Sequence, residues 1–253
     1  PEIVLGLYVP PHPQPLLAPD QNEGWGRLRE AFDQCRSRIE ESDADLILVY
    51  STTWPSIIGH QIQAHPKPVF THVDDDFHFL GSMPYEFRMD SEYAESYREA
   101  CEARGLHART VSYDGFPIDT GSVVALKLLN PDNKIPACIV SSNVYSNRAE
   151  QIVLGKAARD AMAKLGKKVA VVVVASLSNR MFTEHIDPAE DRIHSAKDDE
   201  WNRKILEFFA DGRLEDISQL SRDIQSQIRV SKVVAYKPAW WMAATMGQHN
   251  NYH

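Results

Sequence analysis

Cysteine is scarce in this chain: three residues in 253, Cys35, Cys101 and Cys138, far apart and odd in number. That scarcity excludes a disulfide-stapled fold and a thiolate zinc motif, and it suits a reducing cytoplasm. A long apolar run is missing too. The most hydrophobic stretch, VAVVVVA (169–175), is far too short to cross a bilayer and reads as a central strand. The N-terminal PEIVLGLYVPPHPQPLL has no basic leader, and prolines from Pro10 onward break its apolar run, so it is not a signal peptide. Positive charge is in deficit, with 27 Lys and Arg against 35 Asp and Glu and a net charge of −8. The basic residues are scattered, which argues against a phosphate-tracking surface and a nucleic-acid partner. No glycine-rich phosphate loop, Gly-x-Ser-x-Gly elbow or His-Glu-x-x-His occurs, so nucleotide binding and serine hydrolase chemistry find no support. The expectation is a cytoplasmic protein without a membrane partner.

What is present is an alternation of strands and helices. EIVLGLYV (2–9) is strand-like, and Leu28, Ala31, Phe32, Cys35 and Ile39 recur at helical spacing within 26–41. DLILVYS (45–51) is the next strand. A helix over 91–104 has Asp90 or Ser91 as its cap and ends at Gly105. Strands are expected near 107–112 and 135–141, with a short helix at 121–130 between them. A helix over 147–165 ends at Gly166 before the strand at 168–175, and the chain from about 197 onward is mostly helical by pattern. The pattern predicts one α/β domain over 1–253, a central mixed sheet flanked by helices on both faces, with a helical C-terminal part. Long polar loops at 10–24, 54–90, 112–120 and 176–196 are longer than plain connections need, and several follow strands, so they point to a pocket on one rim.

Candidate chemistry lies in those loops. His12 sits in PPHPQP after the first strand, where a neutral imidazole could ligate a metal or simply be a surface histidine. His60 and His65, five apart, do not share a helix face and read as loop histidines. His72 and His78 bracket Asp74, Asp75 and Asp76, which suits either an oxygen-rich metal site or a solvated acidic loop. In YDGFPIDTGS (113–122), Asp119 or Thr120 is placed to cap the following helix. In HIDPAEDR (185–192), Asp187 before Pro188 reads as a turn.

The order VPPHPQPLL, a helix, DLILVYSTTWPSIIGHQ, YDGFPIDTGS, then VVVVASLSNRMFTEHIDP with DDEWNRKIL resembles the class III extradiol ring-cleavage dioxygenases, and within them the aminophenol branch with its paired subunits. The similarity runs from the first strand to about residue 210. The resemblance implies a ferrous ion held by two histidines and a glutamate, with open positions for substrate and oxygen, and a further histidine as acid–base group. His12 matches the first iron histidine. The second precedes a Trp, and here Thr53 precedes Trp54. The acid–base histidine follows a Leu-Ser pair, and here Asn179 follows Leu177 and Ser178; an amide does not titrate near neutral pH. Thr120 stands where some relatives place a histidine or tyrosine, and the chain's GQHNNYH ending carries neither the closing C-terminal strand nor its glutamate.

The implied reading is a non-catalytic α subunit with a vestigial pocket of His12, Thr53, Thr120 and Asn179, no catalytic residues and no metal of its own. Fe(II) belongs to a homologous catalytic β subunit, the two forming an α2β2 hetero-oligomer that cleaves aminophenol-type rings with O2. The helix holding Ala239, Trp240, Trp241 and Met242 is either a subunit contact or a core helix. Two other readings stay open: an iron enzyme in its own right with a displaced site using His12, His60 and a C-terminal Glu beyond residue 253, or a metal-free aromatic-binding protein using the four pocket residues.

Overall fold

A computed structural model describes residues 2–177, 185–193, 195–224 and 236–253. The elements run β1 (Glu2–Val9), α1 (Gln14–Leu17), α2 (Glu23–Glu41), β2 (Leu46–Ser56), β3 (His60–Gln63), β4 (Val69–His72), β5 (Met83–Glu86), α3 (Ser91–Ala103), β6 (Ala108–Val111), α4 (Thr120–Leu129), β7 (Ala137–Asn143), α5 (Arg148–Leu165), β8 (Lys168–Val174), α6 (Ala196–Ala210), α7 (Leu214–Ile224) and α8 (Lys237–Met246). Six strands form the main sheet in the order β1-β8-β2-β7-β3-β6. The neighbours are parallel except β3 and β7, so the sheet is mixed, as the alternation predicts.

The central strands β2, β7 and β8 are buried along nearly their whole length, which is why they read as continuous Val, Ile and Leu runs. Helices cover both faces. One core layer packs Phe32, Ile39, Val123, Val124 and Leu126 of α2 and α4 against Ile47, Val49 and Val172. The other packs α3, α5 and α8 on Leu48, Tyr50, Val171 and Val173. Trp241 is fully buried there; its ring stacks on Tyr50 at 4.9 Å, and its Nε1–H donates to the Tyr97 hydroxyl across 3.0 Å. The α8 tryptophans therefore belong to the core, which decides between the two roles the sequence left open.

Local chemistry sets the helix ends. Asn22, Asp90, Asp119 and Asn147 cap α2, α3, α4 and α5 through side-chain oxygens. The terminal turn of α5 closes on Gly166 at φ 63°, a left-handed position that suits a residue without Cβ. The region 54–90, expected as one long loop, differs most. It holds the last part of β2, then β3, and the β4–β5 hairpin, which forms a separate two-stranded sheet. These strands are four residues long and lack the apolar runs that mark a strand in sequence. No helix among the described residues is long and apolar enough to cross a membrane.

Candidate functional site

Parallel pairing brings the carboxyl ends of β1, β8 and β2 to one edge, the usual place for a site in an open α/β sheet. The ends are tied together there. Ala175 N–H donates to Val9 O across 2.9 Å, and the Thr52 hydroxyl donates to Val174 O across 2.9 Å. Between Ser51 and Pro55 the β2–β7 register is interrupted, so this part of β2 bulges and re-aims its side chains.

Thr53 is turned toward the first turn of α4. Its hydroxyl donates to Asp119 Oδ2 across 2.7 Å and accepts the Gly121 N–H across 2.9 Å. The Ser51 hydroxyl donates to the same Asp119 oxygen across 2.5 Å, and the capped Ser122 N–H reaches it at 3.1 Å. One carboxylate oxygen thus gathers β2 and the α4 N-terminus into a clasp. Gly121 makes the approach possible, because a Cβ there would stand 2.6 Å from both Thr53 Oγ1 and Val174 Cγ1.

Thr120, the next residue, is buried and serves a second network. Its hydroxyl donates to Asp74 Oδ2 across 2.6 Å, and His72 Nε2 lies 2.6 Å from the same hydroxyl oxygen. A hydroxyl has one proton, so His72 must be the donor and carries its proton on Nε2. The other oxygen of Asp74 accepts the N–H groups of Asp76 and Phe77 at 3.0 and 2.9 Å. This side chain therefore shapes its own turn and fastens it to α4.

His12 lies beside that turn, its ring meeting Phe77 edge-on with centroids 5.8 Å apart. His12 is exposed to solvent beside this turn. Desolvation by the neighbouring protein lowers the His12 pKa, against the opposing pull of Asp74, Asp191 and Asp76. Asp191 Oδ2 accepts the Trp25 indole N–H across 2.9 Å, and Asn22 donates to Asp191 O across 3.0 Å. Parts of all four polar loops thus meet on one rim.

Of the four pocket residues expected from the sequence, the structure puts His12, Thr53 and Thr120 on this rim; Asn179 lies outside the described residues. His60 is not a loop histidine. It is a fully buried residue at the start of β3, 3.4 Å from Glu150 Oε1 in a contact that is not a well-formed hydrogen bond. Four steps across the sheet separate β3 from β1, roughly 19 Å at about 4.8 Å per step. A displaced iron site shared by His12 and His60 is therefore not assembled. His65 is held by Asp114 at 2.7 Å, and His78 is exposed. Among the described residues, no three His, Cys, Asp or Glu side chains are grouped to hold a metal ion. Of the two rim histidines, the His72 ring is hydrogen-bonded to Thr120, and the Thr53 hydroxyl has both its proton and an oxygen lone pair committed. The described residues do not fit a two-histidine, one-carboxylate iron triad. The protons of the two threonine hydroxyls are committed to Asp119 and Asp74, so neither donates outward.

The geometry defines an open mixed α/β sheet with a polar rim at its strand ends, and comparison with known proteins gives the family. The profile described as the catalytic LigB subunit of aromatic ring-opening dioxygenase matches residues 6–253. The chain belongs to this LigB family of class III extradiol dioxygenases. It is 31% identical to the 2-aminophenol 1,6-dioxygenase alpha subunit of Pseudomonas sp, over 98% of this chain and 90% of that one. It is 30% identical to the beta subunit of the same name from Pseudomonas sp, over 98% of this chain and 87% of that one. Similarity to 3,4-dihydroxyphenylacetate 2,3-dioxygenase of Escherichia coli is 22%, covering 76% and 70% of the two chains. A solved structure of an uncharacterized protein from Escherichia coli K12 superposes with a TM-score of 0.59 at 13% identity, covering 86% of this chain and 81% of that one. That last likeness concerns the fold alone.

Proposed function

We propose that this chain is the non-catalytic subunit of a cytoplasmic, heteromeric extradiol dioxygenase that opens the ring of 2-aminophenol-type substrates, supporting a homologous subunit that bears the iron, in an α2β2 assembly. It does so as one domain spanning its length. The observation that carries this reading is the state of Thr53. At the position where the family resemblance calls for an iron-binding imidazole, the chain has a hydroxyl whose bonds go to Asp119 and Gly121. A threonine hydroxyl is a poor donor to Fe(II), and this one serves the α4 cap instead. Similarity to both the alpha and the beta subunit of one named enzyme supports a pair of chains descended from a common scaffold. His12, Thr53, Thr120 and Asn179 are then remnants of a site rather than its working parts. When bound in the partner, iron supplies the binding of ring substrate and oxygen; this chain contributes a fixed scaffold.

The test is reconstitution. The full chain and its homologous subunit are purified separately, and 2-aminophenol cleavage is followed for each alone and for the mixture. Turnover should require the homologous subunit and reach its full value only with both chains present. Turnover by this chain alone, with stoichiometric iron, would overturn the assignment.

A further inference from the structure

We propose that the β4–β5 arm and the aromatic row beside it form the docking surface for the iron-bearing homologous subunit, an inference that rests on the heteromeric reading above. Among the described residues, five of the twelve exposed large apolar side chains fall here: Val69, Phe70, Val73, Phe79 and Tyr113. Val69 and Phe70 are 57% and 55% exposed although they lie in a strand. β4 pairs only with β5, and the hairpin stands apart from the six-stranded sheet. β5 anchors the ribbon by burying Met83 and Tyr85 in the core beside α4, while the free edge of β4, VFTH, has none of the lysines or prolines that keep an edge from pairing. Such a face is built to be covered.

The surface is continuous with the rim of the candidate site. The ring of Tyr113 meets Phe116 at 5.2 Å, and Phe116 meets Trp54 at 5.8 Å, next to Thr53. From the arm, His72 at the end of β4 reaches Thr120. A chain docked on the arm would therefore also stand beside the rim that holds Thr120.

Charge selects the occupant. Asp74, Asp75 and Asp76 sit between Val73 and Phe79, while the cations beside the arm are engaged, Lys67 with Glu86 across 2.8 Å and Lys127 with Pro84 O across 2.6 Å. A second copy would bring a like acidic tip and a second net charge of −8 against the first. The complementary partner is a non-identical chain presenting an apolar face with a basic rim.

The experiment co-expresses the full chain with the homologous catalytic subunit from the same genome and measures complex formation by size-exclusion chromatography with light scattering, then affinity by titration. Three forms are compared: wild type, the double variant Val69→Ser with Phe70→Glu, and Leu206→Glu, which alters an exposed apolar residue on α6. Circular dichroism and melting confirm that each is folded. The double variant should weaken association at least about tenfold, as loss of an aromatic anchor does, while Leu206→Glu leaves it unchanged. If the wild-type pair forms and the double variant binds equally well, the docking surface is wrong and the heteromeric reading stands. If two folded wild-type chains do not associate, the heteromeric reading itself fails. If this chain dimerises alone and the double variant abolishes that dimer, the occupant is a second copy and the proposal is overturned.

Discussion

The Thr53 hydroxyl donates to Asp119 across 2.7 Å, and that carboxylate is also the N-cap of α4. Strand end and helix start are joined through one oxygen atom. What the family resemblance marks as a metal position is, in this chain, part of the hydrogen bonding of the fold.

Asp119→Ala removes the cap and leaves the Ser51 and Thr53 hydroxyls without their acceptor. Loss of a cap costs about 1 kcal/mol, and a hydrogen bond to a charged group contributes about 1.5–3 kcal/mol. Urea unfolding should therefore show a loss of about 2–4 kcal/mol for Asp119→Ala, and a smaller one for Asp119→Asn, which keeps an oxygen acceptor. Equal stability of Asp119→Ala and wild type would mean the clasp contributes nothing.

Acidification should destabilise the fold through His60. Burial lowers its pKa, with Glu150 pulling the other way and His107 and Lys237 adding to the lowering. The unfolded chain, with an ordinary histidine pKa of about 6.5, then binds more protons at this residue than the folded chain does. Its contribution is fully present above about pH 6.5 and is lost as pH falls toward the lowered folded value. The pKa of His12 is lowered as well, and it acts in the same direction. Unfolding free energy measured from pH 8 to pH 5 should fall with pH in wild type, and less steeply in His60→Gln. Parallel curves would remove His60 as the source.

Trp241→Ala empties a fully buried site against Tyr50 and Tyr97. Truncation of a core aromatic typically costs about 3–5 kcal/mol. Thermal unfolding should show a loss of that order, and because α8 is a core helix, Trp241→Phe should recover part of it. A Trp241→Ala variant of native stability, defective only in association, would return α8 to the interface role.

The main strands and helices were legible because their signals are local: unbroken Val, Ile and Leu runs for β2, β7 and β8, helical spacing for α2, and the Asp119 and Gly166 boundaries of α4 and α5. Motif order also singles out His12, Thr53 and Thr120, which share one rim. The joining of Thr120 to His72 and Asp74 was not, because 48 and 46 residues separate partners that only the tertiary fold brings together. A local clue did exist. An aspartate whose carboxylate accepts N–H groups two and three residues onward makes an Asx-type turn, and Asp74 is the first of its acidic run. His60 was misplaced for a similar reason: in β3, the four-residue HQIQ lacks an apolar run, yet it lies beside β7 in the sheet.

The most direct test of the central claim is metal binding by the isolated chain. Anaerobic titration with Fe(II), followed by gel filtration and metal analysis, should leave iron far below one per chain, with no difference between wild type and His12→Ala. One tightly held iron per chain, lost in His12→Ala, would contradict the account.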